Sequence, residues 1–251
     1  MRLRELYDLS FRLLETELRN ISKIFKFHEL TFTLIYKRLG ESIPEIQNDS
    51  SGVLVAIDFS GFKITLKSGY LENKRYRIRK GWIKLHAIIN INNFQIMDYS
   101  IANEHINDAK NGIKIVRRIK NKIDKLYDNK GYDSKLIYNE LDGKAVIPTR
   151  KNAITLSKGS LCRTRITRFN EGLWKINKNY SLIWTVQIYF SGMKRLFSEI
   201  IIAVKQENIV QEMMLKVYFY NEYNKLREDI NYSIYLSVAQ NLKAYTGIHI
   251  I

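Results

Sequence analysis

Val53-Leu-Val-Ala-Ile-Asp58-Phe-Ser-Gly61 is the stretch that decides the fold. Five apolar residues in succession, closed by an aspartate, read as a central strand buried on both faces. Working outward, Phe62–Leu66, Trp82–Ile91 and Phe94–Ile101 read as further strands. From Asp108 to about Lys122 the spacing predicts an amphipathic helix with Ile113, Val116 and Ile119 turned inward. Lys125–Asp128 is a short strand, Asp133-Ser134 can cap a helix reaching about Leu141, and Ala145–Ile147 is one more strand. That order predicts a mixed α/β fold, a mixed β-sheet with helices packed against it.

The ends of the chain are helical in pattern. Leu3, Leu6, Leu9, Leu13, Leu14, Leu18 and Ile21 recur at helical spacing, and a second helix is expected from about His28 to Leu39, stopping at Gly40. Asn48-Asp-Ser-Ser-Gly52 is a polar break, which divides a helical N-terminal region, residues 1–50, from a domain spanning 51–251. Residues 149–179 are basic and weakly periodic. From about Leu182 to Leu242 the chain reads as a helical C-terminal tail, with turns near Asn208 and Asp229.

At 251 residues and 45% hydrophobic, the chain can bury one good core with room for a small accessory lobe. Cys162 is the single cysteine and can form no intramolecular bridge, which argues against a disulfide-stapled secreted fold. No apolar run approaches the roughly 18 residues of a membrane span, so no membrane partner is expected and a cytoplasmic, nucleoid-associated protein is. The formal net charge is +16. Residues 1–50 balance eight Lys/Arg against eight Asp/Glu, so the excess lies beyond them. A basic domain beside a neutral one points to a polyanion, nucleic acid before others. Lys74, Arg75, Arg77, Arg79 and Lys80, interleaved with Tyr76 and Trp82, fit phosphate contact with base stacking. The same pattern also describes a solvated hairpin whose charged edge deters aggregation.

Phosphodiester chemistry with two metal ions needs carboxylates that converge from different elements. Asp58 ends the first central strand and Asp128 a later one, so neighbouring strands would present both at one edge of the sheet. Taken singly, an aspartate at a strand end starts a turn more often than it binds a metal. His86 and His105 are too isolated to argue a zinc site, and read as structural.

Several segments together resemble the DDE-type insertion-sequence transposases of the insertion-sequence-5-like group. Val53–Gly61 resembles the first aspartate strand of that family. "KRYRIRKGWIKLHAIINI", Lys74–Ile91, resembles the basic hairpin and strand that follow, and "LYDNKGYDSKLIYNEL", Leu126–Leu141, the second aspartate motif. "VIPTRKNA", Val146–Ala153, is similar to the usual continuation. "YSLIWTVQIYFSGMKRLFSE", Tyr180–Glu199, resembles the third motif. The resemblance implies an RNase H-like core that cleaves DNA at terminal inverted repeats and joins the freed 3′-hydroxyl to target DNA, acting as a homo-oligomer. It implies Asp58 and Asp128 as ligands of Mg²⁺ (or Mn²⁺), Asp133 as a helix cap, and Tyr180 and Lys194 as DNA contacts. The third catalytic acid falls on Gln187, and an arginine of the same signature on Ile183. Gln187 keeps the shape of glutamate without its charge, so the two-metal site is expected to be weakened. The expected function is an impaired transposase, or a non-catalytic DNA-binding remnant that occupies transposon ends or represses active relatives. Glu199, twelve residues after Gln187, would lie about 18 Å along an unbroken helix and could not substitute.

Overall fold

The computed structural model describes residues 9–25, 31, 33–35, 46, 51–64, 81–103, 105–148, 178–203 and 205–246, with side chains to residue 230. The basic cluster Lys74, Arg75, Arg77, Arg79 and Lys80 and the basic stretch 149–177 lie outside the described residues.

A six-stranded mixed sheet forms the centre, in the order β3-β2-β1-β4-β5. Its strands are β1 (Val53–Ile64), β2 (Trp82–Asn90), β3 (Ile96–Asn103), β4 (Ile123–Asp128) and β5 (Ala145–Val146). A sixth, β6 (Ile200–Ile201), pairs with the far end of β1. β1 pairs antiparallel with β2 and parallel with β4, so it is the inner strand that its apolar run predicts. Alternation along β1 splits its side chains between two cores. Val53, Val55 and Ile57 meet Ile113, Ile115 and Val116 of α2 (Asp108–Ile119) and Ile137, Tyr138 and Leu141 of α3 (Lys135–Leu141). Ala56 and Phe62 face the opposite layer, with Val186, Tyr189, Phe190 and Met193 of α4 (Trp184–Phe197). Ile209, Met213, Val217 and Tyr220 of α5 (Gln206–Thr246) join that layer. The two-sided burial explains why the run before Asp58 carries no polar alternation. This is the mixed α/β sheet flanked by helices that the sequence predicts.

Several boundaries differ from the sequence reading. Ile57 and Phe62 belong to one 12-residue strand, not two. Gly61 stays in the ladder opposite Lys84. The Trp82 ring covers it so closely that a Cβ there would lie 3.0 Å from the ring. β3 starts two residues later than expected, because Phe94 takes a left-handed turn at φ 55°. α2 ends at Ile119 and a one-turn helix, Lys120–Lys122, completes the segment. Ile115 is fully buried beside Val116, while Ile119 packs on the core only partly buried.

Instead of turning near Asp229, α5 runs 41 residues without a break. No glycine or proline interrupts Gln206–Thr246, and Asn208 lies within its first turn. Its buried polar residues tie the layers together. Asn221 donates to the Ile96 carbonyl at 3.1 Å, accepts from the Ile96 amide at 2.9 Å and from the Tyr189 hydroxyl at 3.0 Å. Each of these three side-chain bonds joins α5 to β3 or α4. Lys216, fully buried, donates to the Phe197 and Ile200 carbonyls, while Glu212 accepts the Ile202 and Ala203 amides at 3.0 Å each. This pair fixes the turn from α4 into β6. The N-terminal helix α1 (Phe11–Phe25) docks through Leu14, with Ile35, on Leu215 of α5.

Candidate active site

Parallel pairing sets Asp128, the last residue of β4, level with Ile57 of β1. Asp58 and Asp128 therefore emerge side by side from adjacent strands. Asn129 joins them. Its side-chain amide donates to Asp58 Oδ1 at 2.7 Å, and its backbone amide to Asp128 Oδ1 at 2.6 Å. The Asn129 side-chain oxygen Oδ1 accepts the Gly131 amide at 2.7 Å, closing an Asx-turn. Asn129 went unassigned in the sequence reading, although Asn-Lys-Gly is a legible turn signal.

The electrostatics of the pair are strained. Asp58 also accepts the Phe59 amide at 2.8 Å, yet burial pushes its carboxyl up from 3.8 to about 6. Asp128 is 0% exposed, and burial, followed by the Asp58 charge, drives it well above the carboxylate range. Its Oδ2 is buried with no hydrogen-bond partner among the described residues. Two desolvated carboxyls with an open oxygen fit a hard dication, which would relieve both burial and repulsion. Asp133 lies apart from this pair in role. It follows the one-turn helix Lys130–Tyr132, and the cap of α3 is Ser134, whose hydroxyl accepts the Leu136 amide at 3.3 Å. The cap is thus one residue later than the resemblance implies.

The third motif arrives on α4. A one-turn helix, Tyr180–Ile183, leads into it, and the Tyr180 hydroxyl donates to the Asp128 carbonyl at 3.0 Å. At the other end Lys194 Nζ lies 5.2 Å from the centre of the Phe62 ring and 4.0 Å from Glu199. These anchors run α4 alongside β1, from the level of Ile57 to that of Phe62. Gln187 lies seven residues from each anchor along the chain. It is exposed and lines one edge of a groove of about 580 Å³ between α4 and α5, with Trp184, Arg195, Tyr223 and Arg227. Ile183 stands where the resemblance places an arginine. It is 5% exposed and packs in the core, so an arginine there would bury a guanidinium.

Glu199 escapes α4, because Ser198 at φ 64° ends the helix, but it turns to Lys63 and not to the aspartates. Among the described residues no three His, Cys, Asp or Glu side chains gather as metal ligands. The acidic pair at this edge is therefore Asp58 and Asp128, while Gln187 lines the groove between α4 and α5.

Behind the pair, on the α2 face, lies a polar cluster that sequence reasoning did not assemble. His86 Nδ1 and the Tyr132 hydroxyl are 2.8 Å apart, and His86 Nε2 is 4.0 Å from Asp108. Lys84 holds Asp108 at 3.0 Å. Burial lowers the His86 pKa to about 4, so the ring is neutral, and drives Tyr132 well above its usual range. No sequence spacing links residues 84, 86, 108 and 132; strand pairing and helix packing bring them together.

Adjacent parallel strands that bring two aspartates to one edge of a mixed sheet flanked by helices make an RNase H-like core. The family model for the transposase DDE domain matches residues 49–226, and the chain belongs to that family. No curated protein matches the chain. Membership makes DNA its partner and transposition its class of function, in a family that works with divalent metal ions. No helix among the described residues is long and apolar enough to cross a membrane.

Proposed function

We propose that this chain is an insertion-sequence transposase whose metal site is weakened at one ligand. The observation that carries the reading is the locked aspartate pair, with Asp128 Oδ2 buried and unpartnered among the described residues. Asp58 and Asp128 would hold Mg²⁺ or Mn²⁺, which supplies charge neutralisation and an activated oxygen nucleophile when bound. Gln187 occupies the third position with a neutral amide, removing one unit of charge where a dication prefers carboxylate. The residues of the chain supply the frame. Asn129 keeps the carboxylates together, Tyr180 ties α4 to the Asp128 backbone, and Gln187 faces outward from α4, where a DNA strand would pass.

DNA ends bearing inverted repeats, and then target DNA, are the substrates of this reading. Arg195 and Arg227 offer cations along the groove that Gln187 lines, with Trp184 at 63% exposure as a stacking surface, and Lys194 would add a contact from the end of α4. Lys74, Arg75, Arg77, Arg79 and Lys80 would add phosphate contacts, and Tyr180 shares its role with its bond to Asp128. Residues 1–50 form a helical region apart from the catalytic domain of 51–251, and assembly on paired ends would be homo-oligomeric. A second reading, favoured by the neutral Gln187, is a DNA-binding remnant that occupies transposon ends without cleaving them.

Cleavage of end-containing DNA in Mg²⁺ and in Mn²⁺ separates the two. The weakened transposase cleaves slowly as wild type, gains activity with Gln187→Glu and loses it with Asp58→Ala. End-specific binding in chelator, with no cleavage by wild type or by Gln187→Glu, would replace the first reading with the second.

A further inference from the structure

We propose that Tyr132 and His86 are positioning residues for the aspartate pair, acting through the turn that carries Asn129. The proposal rests on the metal reading of Asp58 and Asp128 and adds two residues to which the resemblance assigned no role.

The mechanical path is continuous. Tyr132 ends the one-turn helix that begins two residues after Asp128, and its amide donates to the Asn129 carbonyl at 3.3 Å. Its ring is 0% exposed and fills a slot between α2 and β1. The slot exists because residue 112 is glycine, where a Cβ would lie 2.6 Å from the Tyr132 ring and 3.5 Å from Ile57. At its inner end the hydroxyl meets His86 Nδ1 at 2.8 Å. His86 is itself held edge-on to Tyr132 and tilted against Phe59, the residue that follows Asp58. Thus β2 fixes His86, His86 fixes Tyr132, and Tyr132 fixes the turn whose Asn129 bonds both carboxylates.

Such a frame is needed because two adjacent carboxylates repel, and without restraint the Asp128 loop would relax away from Asp58. Holding them together before the metal arrives avoids the cost of ordering at binding. Outer-shell groups of this kind typically change metal affinity by about 10- to 100-fold. The Tyr132 hydroxyl acts at one remove through Asn129, which puts the expected effect near the lower limit, about tenfold.

The test uses the full chain as wild type, Tyr132→Phe, His86→Leu, His86→Gln and Asp58→Asn. Mn²⁺ affinity is read by paramagnetic resonance of the free ion, and amide exchange at Asn129 and Gly131 by deuterium uptake in chelator. Tyr132→Phe and His86→Leu should weaken Mn²⁺ about tenfold and speed exchange in the 129–131 turn, while exchange in β1 stays at the wild-type rate. His86→Gln, which keeps a hydrogen-bonding group for the hydroxyl, should recover most of both. Wild-type exchange at the turn in Tyr132→Phe overturns the proposal whatever the metal does, and so does uniform acceleration that includes β1. Mn²⁺ binding by Asp58→Asn at wild-type strength refutes the metal reading instead, and the exchange data then decide the positioning role alone.

Discussion

Replacing Asp58 by asparagine should stabilise the metal-free protein at neutral pH. Burial raises the Asp58 carboxyl from 3.8 to about 6, a shift of roughly two units. At about 1.4 kcal/mol per unit, ionisation of Asp58 costs the fold up to about 3 kcal/mol. Partial solvent access reduces the working figure to about 2 kcal/mol. Asparagine retains an oxygen to accept from the Phe59 amide and from Asn129, at 2.8 and 2.7 Å in the wild type, so the change removes charge more than contacts. The sign follows from linkage. A carboxyl whose pKa is higher folded than unfolded binds its proton more tightly in the native state, so the native state loses stability as pH rises through that window. The penalty is absent below 3.8 and fully present above about 6. For a chain of this size, about 2 kcal/mol corresponds to a melting shift of about 4–8 °C. Thermal melts by circular dichroism, in chelator and across that pH range, read the difference directly. The variant should melt higher at neutral pH, and the gap should close on acidification. Added Mg²⁺ should raise the wild type and leave the variant nearly unmoved. An equal or lower melting point for the variant at neutral pH, or a gap indifferent to pH, would refute the reasoning.

The other predictions concern the site and its supports. Gln187→Glu should raise Mg²⁺-dependent cleavage by at least about tenfold if the missing charge limits metal binding, as end-nicking assays would show. Asn221→Ala should lower stability by about 2–4 kcal/mol in denaturant titration, since the Ile96 amide and carbonyl and the Tyr189 hydroxyl all lose a buried partner. Lys216→Met should cost about 3–5 kcal/mol by the same measurement, because it leaves the nearby Glu212 carboxylate buried without its cation. Ile183→Arg should not restore a phosphate contact, and the melting point should fall, because position 183 packs in the core.

How much of this was legible in the residues differs element by element. The run from Val53 to Ile57 showed a strand buried on both faces because two-sided burial suppresses alternation, a signal local to five residues. Asp58 was legible because it follows that run, although β1 continues past it to Ile64, and Asp128 because it closes the strand of Leu126 and Tyr127. The single 12-residue β1 was not legible, because Asp58, Ser60 and Gly61 interrupt the apolar pattern, and the Trp82 ring that covers Gly61 comes from the paired strand. The cap at Ser134 and the unbroken length of α5 were questions of one residue or of a missing breaker.

The sequence by itself determined the alternation of strands and helices, the apolar strand before each aspartate, and the neutral residue at position 187. Those properties are written in neighbouring residues, because hydrophobic period and charge are local. Tertiary structure alone decided the rest: that β1 and β4 pair in parallel so the aspartates meet, that Asn129 bridges them, that Ile183 points into the core, and that His86 reaches Tyr132 across 46 residues of chain. The reason is physical. A carboxyl's pKa, a side chain's partner and the face it presents depend on what packs against it, and residues distant in sequence supply that packing.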